Sequence, residues 1–214
     1  MKTISTLSSI ILLAAIGSLG CVGAPGSDED TGDDTLLDLQ GDDLSASEDT
    51  DAVERLGEAS DALVACAGQP AWQAAWETWE DEVRTLVNQK RAAGAKCGGT
   101  TYPPAPALAV DNRLRCSARR HSRDMGVNNF MNHIGSDGSE PWDRMEDAGY
   151  AYTQAAENIA VGYNSPAAVV NGWMGSVGHC QNIMKATLKH LGVGYYRKDG
   201  STYVHHWTQN FGRQ

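Results

Sequence analysis

Two histidines and one glutamate, His133, Glu157 and His179, stand in short segments rich in Gly and Asn: NNFMNHIGSDGS, AAENIAVGY and GWMGSVGHCQNIM. Polar side chains in such segments are the usual mark of a site carried on loops and element ends. Imidazole nitrogen and carboxylate oxygen are good donors for borderline divalent ions, so these three in one cavity would suit zinc, or magnesium with added waters. Separations of 24 and 22 residues exclude a single-helix motif such as HExxH, so the fold must bring them together. Because an imidazole ligates only when neutral, ion uptake should weaken below about pH 6.

The elements that would position these residues follow from periodicity. Trp72, Trp76, Trp79, Val83, Leu86 and Val87 recur at helical spacing, which predicts a helix opened by Pro70 and closed by Gly94, with the tryptophans as core. A second helix is predicted from Asp111 or Asn112, with Leu114, Ala118, His121 and Met125 inward. His121 is expected to be a core histidine bonded to backbone or an acid, and Arg113, Arg115, Arg119, Arg120 and Arg123 a solvated face. Pro141–Met145 predicts a short third helix ending before Gly149. Ser165 and Pro166, as N-cap and first helical residue, start a fourth that buries Val169, Val170, Trp173 and Met174. AENIAVGY reads as a strand, and GVGYYR with TYVHHWTQNF as a hairpin across Lys198, Asp199 and Gly200. The fold class expected is α+β, an α-β-α sandwich whose small, largely antiparallel sheet is flanked by helices.

Charge and cysteines bound the rest. Met1-Lys2, an apolar run from Ile10 to Ile16 and small residues before Cys21 have the layout of a secretory signal peptide over residues 1–20, too short for a membrane span. Ser18-Leu19-Gly20-Cys21 also suggests lipidation of Cys21 as a membrane tether; cleavage without lipidation is the alternative. Residues 22–63 carry 14 acids against one Arg, whereas residues 64–214 carry 15 basic and 13 acidic residues. Like charge this dense, with few aromatics, predicts a disordered acidic linker over residues 21–63 and one nearly neutral domain over 64–214. A neutral domain without interleaved aromatics excludes nucleic acid as an expected partner. Setting Cys21 aside leaves Cys66, Cys97, Cys116 and Cys180, enough for two disulfides in three connectivities after export.

The order HSRDM, NNFMNHIGSDGS, AAENIAVGY, GWMGSVGHCQNIM closely resembles the CAP superfamily, or SCP domain, over roughly residues 72–214. The resemblance implies a bacterial-type secreted or cell-envelope member, read as a monomer, with links to lipid or sterol ligands and divalent cations. It implies a cavity tetrad of two His and two Glu, of which His133, Glu157 and His179 match three. Ser176 stands in the fourth place, so Ser176→Glu should tighten ion binding by restoring a carboxylate. Asn88 and Arg91 match an NxxR element expected to bond neighbouring loops. Relatives suggest pairing Cys97 with Cys180 and Cys66 with Cys116; Cys97 with Cys116 stays open. Enzymatic activity is not assigned, since Met174 breaks a GxSxG nucleophile elbow. A binding module leads, ahead of a metal-dependent hydrolase or peptidase using Glu157 as base, and of a structural envelope protein with a vestigial cavity.

Overall fold

The computed structural model of the chain describes Cys66, Gln69 and residues 71–214; the expected signal peptide, Cys21 and the acidic linker lie outside the described residues. Helix α1 spans Ala74–Ala93, followed by a small hairpin of β1 (Ala95–Cys97) and β2 (Thr100–Tyr102) and by the short strand β3 (Ala109–Val110). Helix α2 (Asn112–Asn128), helix α3 (Pro141–Asp147) and strand β4 (Gln154–Val161) come next. Helices α4 (Pro166–Gly175) and α5 (Val177–Met184) precede the hairpin of β5 (His190–Arg197) and β6 (His205–Arg213). The main sheet has the order β3-β5-β6-β4, antiparallel except for the β3/β5 pair, and β4 is an edge.

Helices cover both faces of this sheet, which gives the expected α-β-α sandwich. On one face Leu191, Val193, Tyr195, Trp207 and Phe211 share a core with Val83 and Val87 of α1, Val169, Val170 and Trp173 of α4, and Ile183 and Met184 of α5. On the other face α2 lies directly on β5. A Cβ at Gly192 would stand 2.1 Å from the Leu114 carbonyl carbon, and one at Gly194 2.3 Å from that of Ala118. Glycine at these two positions lets helix backbone touch strand backbone. Ser122 locks the contact: its hydroxyl donates to Gly194 O and accepts from the Thr208 hydroxyl, both at 2.9 Å.

Several local expectations change. Helix α1 begins at Ala74 rather than at Pro70, so Trp72 precedes it, although Trp72 still packs edge-on to Trp76 and donates Nε1–H to Glu80 at 2.9 Å. The arginines of α2 are not simply solvated: Arg115 pairs with Asp81, and Arg119 pairs with Glu77 and with the buried Glu80. Acids on one face of α1 neutralise a basic stripe on α2, so neither has to face water alone. Met174 is only partly buried, and helix α5, diluted by Ser176 and Gly178, has too few apolar repeats to be read from periodicity. As expected, Asp111 caps α2, and Leu114, Ala118, His121 and Met125 are buried along it.

Asn88 and Arg91 act as the NxxR element should. Asn88 exchanges two hydrogen bonds with the Leu108 backbone, and the buried guanidinium of Arg91 donates to Pro106 O (2.7 Å), Ile183 O (2.6 Å) and Lys185 O (3.1 Å). The disulfides are Cys66–Cys116 and Cys97–Cys180, with Cα separations of 5.4 and 5.6 Å, so Cys97 does not pair with Cys116. Cys97–Cys180 fastens the β1/β2 hairpin to α5.

Buried imidazoles give a pH expectation. Burial holds His121 and His206, both without exposed surface, below their ordinary pKa. The unfolded chain therefore binds more protons than the folded one, so their contribution is whole above about pH 6.5 and is lost as pH falls toward the folded values. We expect urea unfolding at pH 5.5 to show a lower midpoint than at pH 7.5. Equal midpoints and slopes at the two pH values would contradict this.

Candidate functional site

The site is built on the free edge of the sheet. Alternation along β4 sends Glu157 to the α2 face, opposite Asn210 of β6, while Asn158 leaves on the α4/α5 face. The Glu157 carboxyl is 1% exposed and its two oxygens are engaged on several sides. Arg144, from α3, donates to Oε2 at 2.9 Å and Oε1 at 3.2 Å. His133 Nδ1 meets Oε1 at 2.8 Å. With the Asn210 amide oriented to satisfy both of its ends, its nitrogen donates to Oε2 at 3.0 Å and its oxygen accepts from Ala118 N and Ser117 Oγ. A carboxylate can only accept, so Nδ1 carries a proton, and in the neutral His133 ring Nε2 is an acceptor.

His133 sits in the loop between α2 and α3, which is held at several points. Asp124 accepts from Ser136 N at 2.8 Å, Gly135 N donates to Ser139 O at 2.9 Å, and His121 Nε2 meets Asn132 O at 2.8 Å. His121 is thus bonded to backbone, as expected. Arg144 also donates to His133 O (3.0 Å) and Ser139 O (2.8 Å), so one guanidinium fastens both the loop and the carboxylate. Beside them opens a cleft of about 440 Å³ with a polar part formed by His133, Glu140, Glu157 and Asn182 and an apolar rim of Ile134, Pro141 and Trp142. Ile134 and Trp142, 41% and 37% exposed, give the cleft an apolar surface open to solvent.

The expected residues are therefore only partly gathered as expected. His133 and Glu157 touch. His179 is carried not by a loop but by α5, and Asn158 Nδ2 donates to its carbonyl at 3.2 Å. Its imidazole is half-buried, and burial together with the charge of His133 holds it below its ordinary pKa. Ser176 joins α4 to α5 through its backbone, with its N–H on Trp173 O and its carbonyl accepting from Cys180 N. Neither His179 nor Ser176 lines the cleft.

A resident metal does not fit this arrangement. Among the described residues no three His, Cys, Asp or Glu side chains are grouped to hold an ion. Glu157, the only carboxylate of the expected set, is already neutralised by the guanidinium of Arg144. A divalent ion there would have to displace a buried cation. Arg144, Asn210 and Trp142 carry site roles that spacing alone did not reveal. Arg144 shares the buried i, i+3, i+4 face of Pro141, Met145 and Ala148, and a charge on such a face is the signal that marks it.

The chain is 41% identical over 104 residues to an uncharacterized Bacillus subtilis (strain 168) protein, YkwD, covering 49% of this chain and 38% of that relative. It is 38% identical over 91 residues to an uncharacterized membrane protein of the same organism, YlbC, covering 42% of this chain and 24% of the relative. The chain thus spans well under half the length of either curated relative. Among solved structures, an extracellular Bacillus anthracis protein containing an SCP domain superposes with TM-score 0.56 at 27% identity, over 69% of this chain and 45% of that one. An outer surface protein of Borrelia burgdorferi shares the fold, with TM-score 0.51 at 17% identity, over 64% of this chain and 91% of that one. Residues 84–211, more than half of the chain, match the model of the cysteine-rich secretory protein (CAP) family, and the chain belongs to that family.

Proposed function

We propose that this chain is an extracytoplasmic CAP-domain binding module whose β4 cleft takes an organic ligand of the lipid or sterol class, with an apolar body and one hydrogen-bonding head. The observation that carries the reading is the Arg144–Glu157 ion pair. It engages the one buried carboxylate of the cleft, and it leaves His133, Asn182 and the exposed Glu140 as polar contacts beside the exposed Ile134 and Trp142. The His133 Nε2 acceptor would meet the hydroxyl or acid proton of the head group, while the rim would cover its hydrocarbon. Two disulfides support a compartment outside the cytoplasm, and the export layout of residues 1–21 agrees. Tethering through a lipidated Cys21 and action as a monomer belong to the same proposal. Among the described residues no helix is long and apolar enough to cross a membrane.

A hydrolase gains no support from these residues. Glu157 is not free to act as a base, and no hydrogen bond joins Ser176 Oγ to His179 among the described residues. The test is titration calorimetry with zinc, magnesium, palmitate and a water-soluble cholesterol ester. We expect no saturable heat from either ion, and binding of at least one apolar ligand that weakens at least tenfold in Trp142→Ala. Stoichiometric zinc uptake lost in Glu157→Gln would overturn the reading.

A further inference from the structure

A second cleft lies where the N-terminal end of α1 meets the outer end of β5. It encloses about 360 Å³ between Trp76, Trp79 and Tyr195, with Gln73, Arg197 and Asp199 at its rim. That volume falls near the lower end of the range for small-molecule sites, roughly 300–1,000 Å³. The rings differ in orientation. Tyr195 lies edge-on to Trp76, with interplanar angle 84°, and tilted by 38° to Trp79 at 4.8 Å. Behind them Trp79 stacks on Trp207 at 5.8 Å, with the planes 3° apart, and Tyr195 Oη meets His205 Nδ1 at 2.8 Å. The inner edges are therefore fixed by packing, and the rings that reach the cleft are held in place before any ligand arrives.

The rim decides what chemistry suits those rings. Arg197 and Asp199 are paired with each other, Nε to Oδ1 at 3.0 Å, and both are largely exposed. One cation beside one anion leaves the rim neutral, which disfavours a net-charged guest of either sign. The Gln73 side chain makes no capping bond to α1, so its amide can serve a ligand. Planar amide, guanidinium and carboxylate groups around aromatic walls suit a guest with C–H faces and many hydroxyls: the rings cover the C–H surface while the rim groups donate to and accept from the hydroxyls. We propose that this cleft binds a neutral saccharide unit.

The site is separate from the β4 cleft and does not depend on the reading given for it. The test uses the full chain and three probes, the β-1,4-linked N-acetylglucosamine trimer, cellotriose and maltotriose, followed by tryptophan emission and saturation-transfer NMR. At least one sugar should shift the emission saturably below about 10 mM. Asp199→Ala and Gln73→Ala, both on the surface, should weaken that binding about tenfold with unchanged thermal unfolding, and His133→Ala should leave it untouched. No response to any of the three sugars overturns the proposal. So does sugar binding that survives both rim variants, or a response only to choline or sulfate, which would mark a charged-ligand site instead.

Discussion

Gly192→Ala is expected to leave the chain without a stable folded domain. The new methyl carbon would stand 2.1 Å from both the Arg115 nitrogen and the Leu114 carbonyl carbon. The obstacle is helix backbone, not the end of a flexible side chain, so relief requires moving all of α2 off the sheet. Overpacking commonly costs about 1–3 kcal/mol, and this case lies above that range, against total stabilities of about 5–15 kcal/mol. Circular dichroism during urea unfolding reads the effect. Gly178→Ala, an exposed position of α5 with nothing within 4 Å, is the control and should gain up to about 1 kcal/mol. Equal stability of the Gly192 variant and wild type would disprove the close packing of α2 on β5.

Arg144→Met should be nearly as damaging, for an electrostatic reason. The substitution keeps a long side chain but strands the buried Glu157 carboxylate and removes a donor from His133 O and Ser139 O. Breaking one partner of a buried pair costs about 3–5 kcal/mol, most of it from the charge left behind. Glu157→Gln in the same background removes that charge. The double variant should therefore be more stable than Arg144→Met alone, and subtracting both single-variant effects from that of the double should leave a coupling energy of about 0.5–3 kcal/mol. Chemical denaturation of the two singles and the double completes the cycle. Strict additivity would mean that the two side chains do not depend on one another.

Much of this structure was legible in order and periodicity. The α2 stripe of Leu114, Ala118, His121 and Met125, its Asp111 cap, the Ser165 start of α4 and the β5/β6 hairpin all express local chemistry that spacing reports directly. The two disulfides followed from family likeness and not from spacing. What spacing could not report was pairing across layers. Arg144 and Glu157 lie only 13 residues apart, yet their contact depends on how α3 sits against the β4 edge. Likewise Arg119 finds Glu80 only because α1 and α2 both lie near β5. His179 was read as a loop residue because Gly and Ser hide α5, a helix whose backbone meets Asn158 on the face of β4 opposite Glu157.

The glycine contact between α2 and β5 also divides the mechanical character of the β4 cleft. Because helix backbone rests on strand backbone, α2 has no side-chain cushion through which to shift, and Ala118 and Ser117 pass that fixed distance to Asn210 and on to Glu157. The opposite wall is built otherwise: α3 and its C-cap pack Met145 and Ala148 against Leu114 and Cys116 of α2, whereas loop 129–140 is held by hydrogen bonds, several of them solvent-exposed, and by Arg144. Such bonds can be exchanged for water one at a time. A guest too wide for the cleft would therefore be admitted by outward travel of Ile134 and its loop while Glu157 and α3 stay where they are. For the binding module proposed above, the cleft would have stiff walls and one compliant loop, and selectivity for ligand width would be set by that loop.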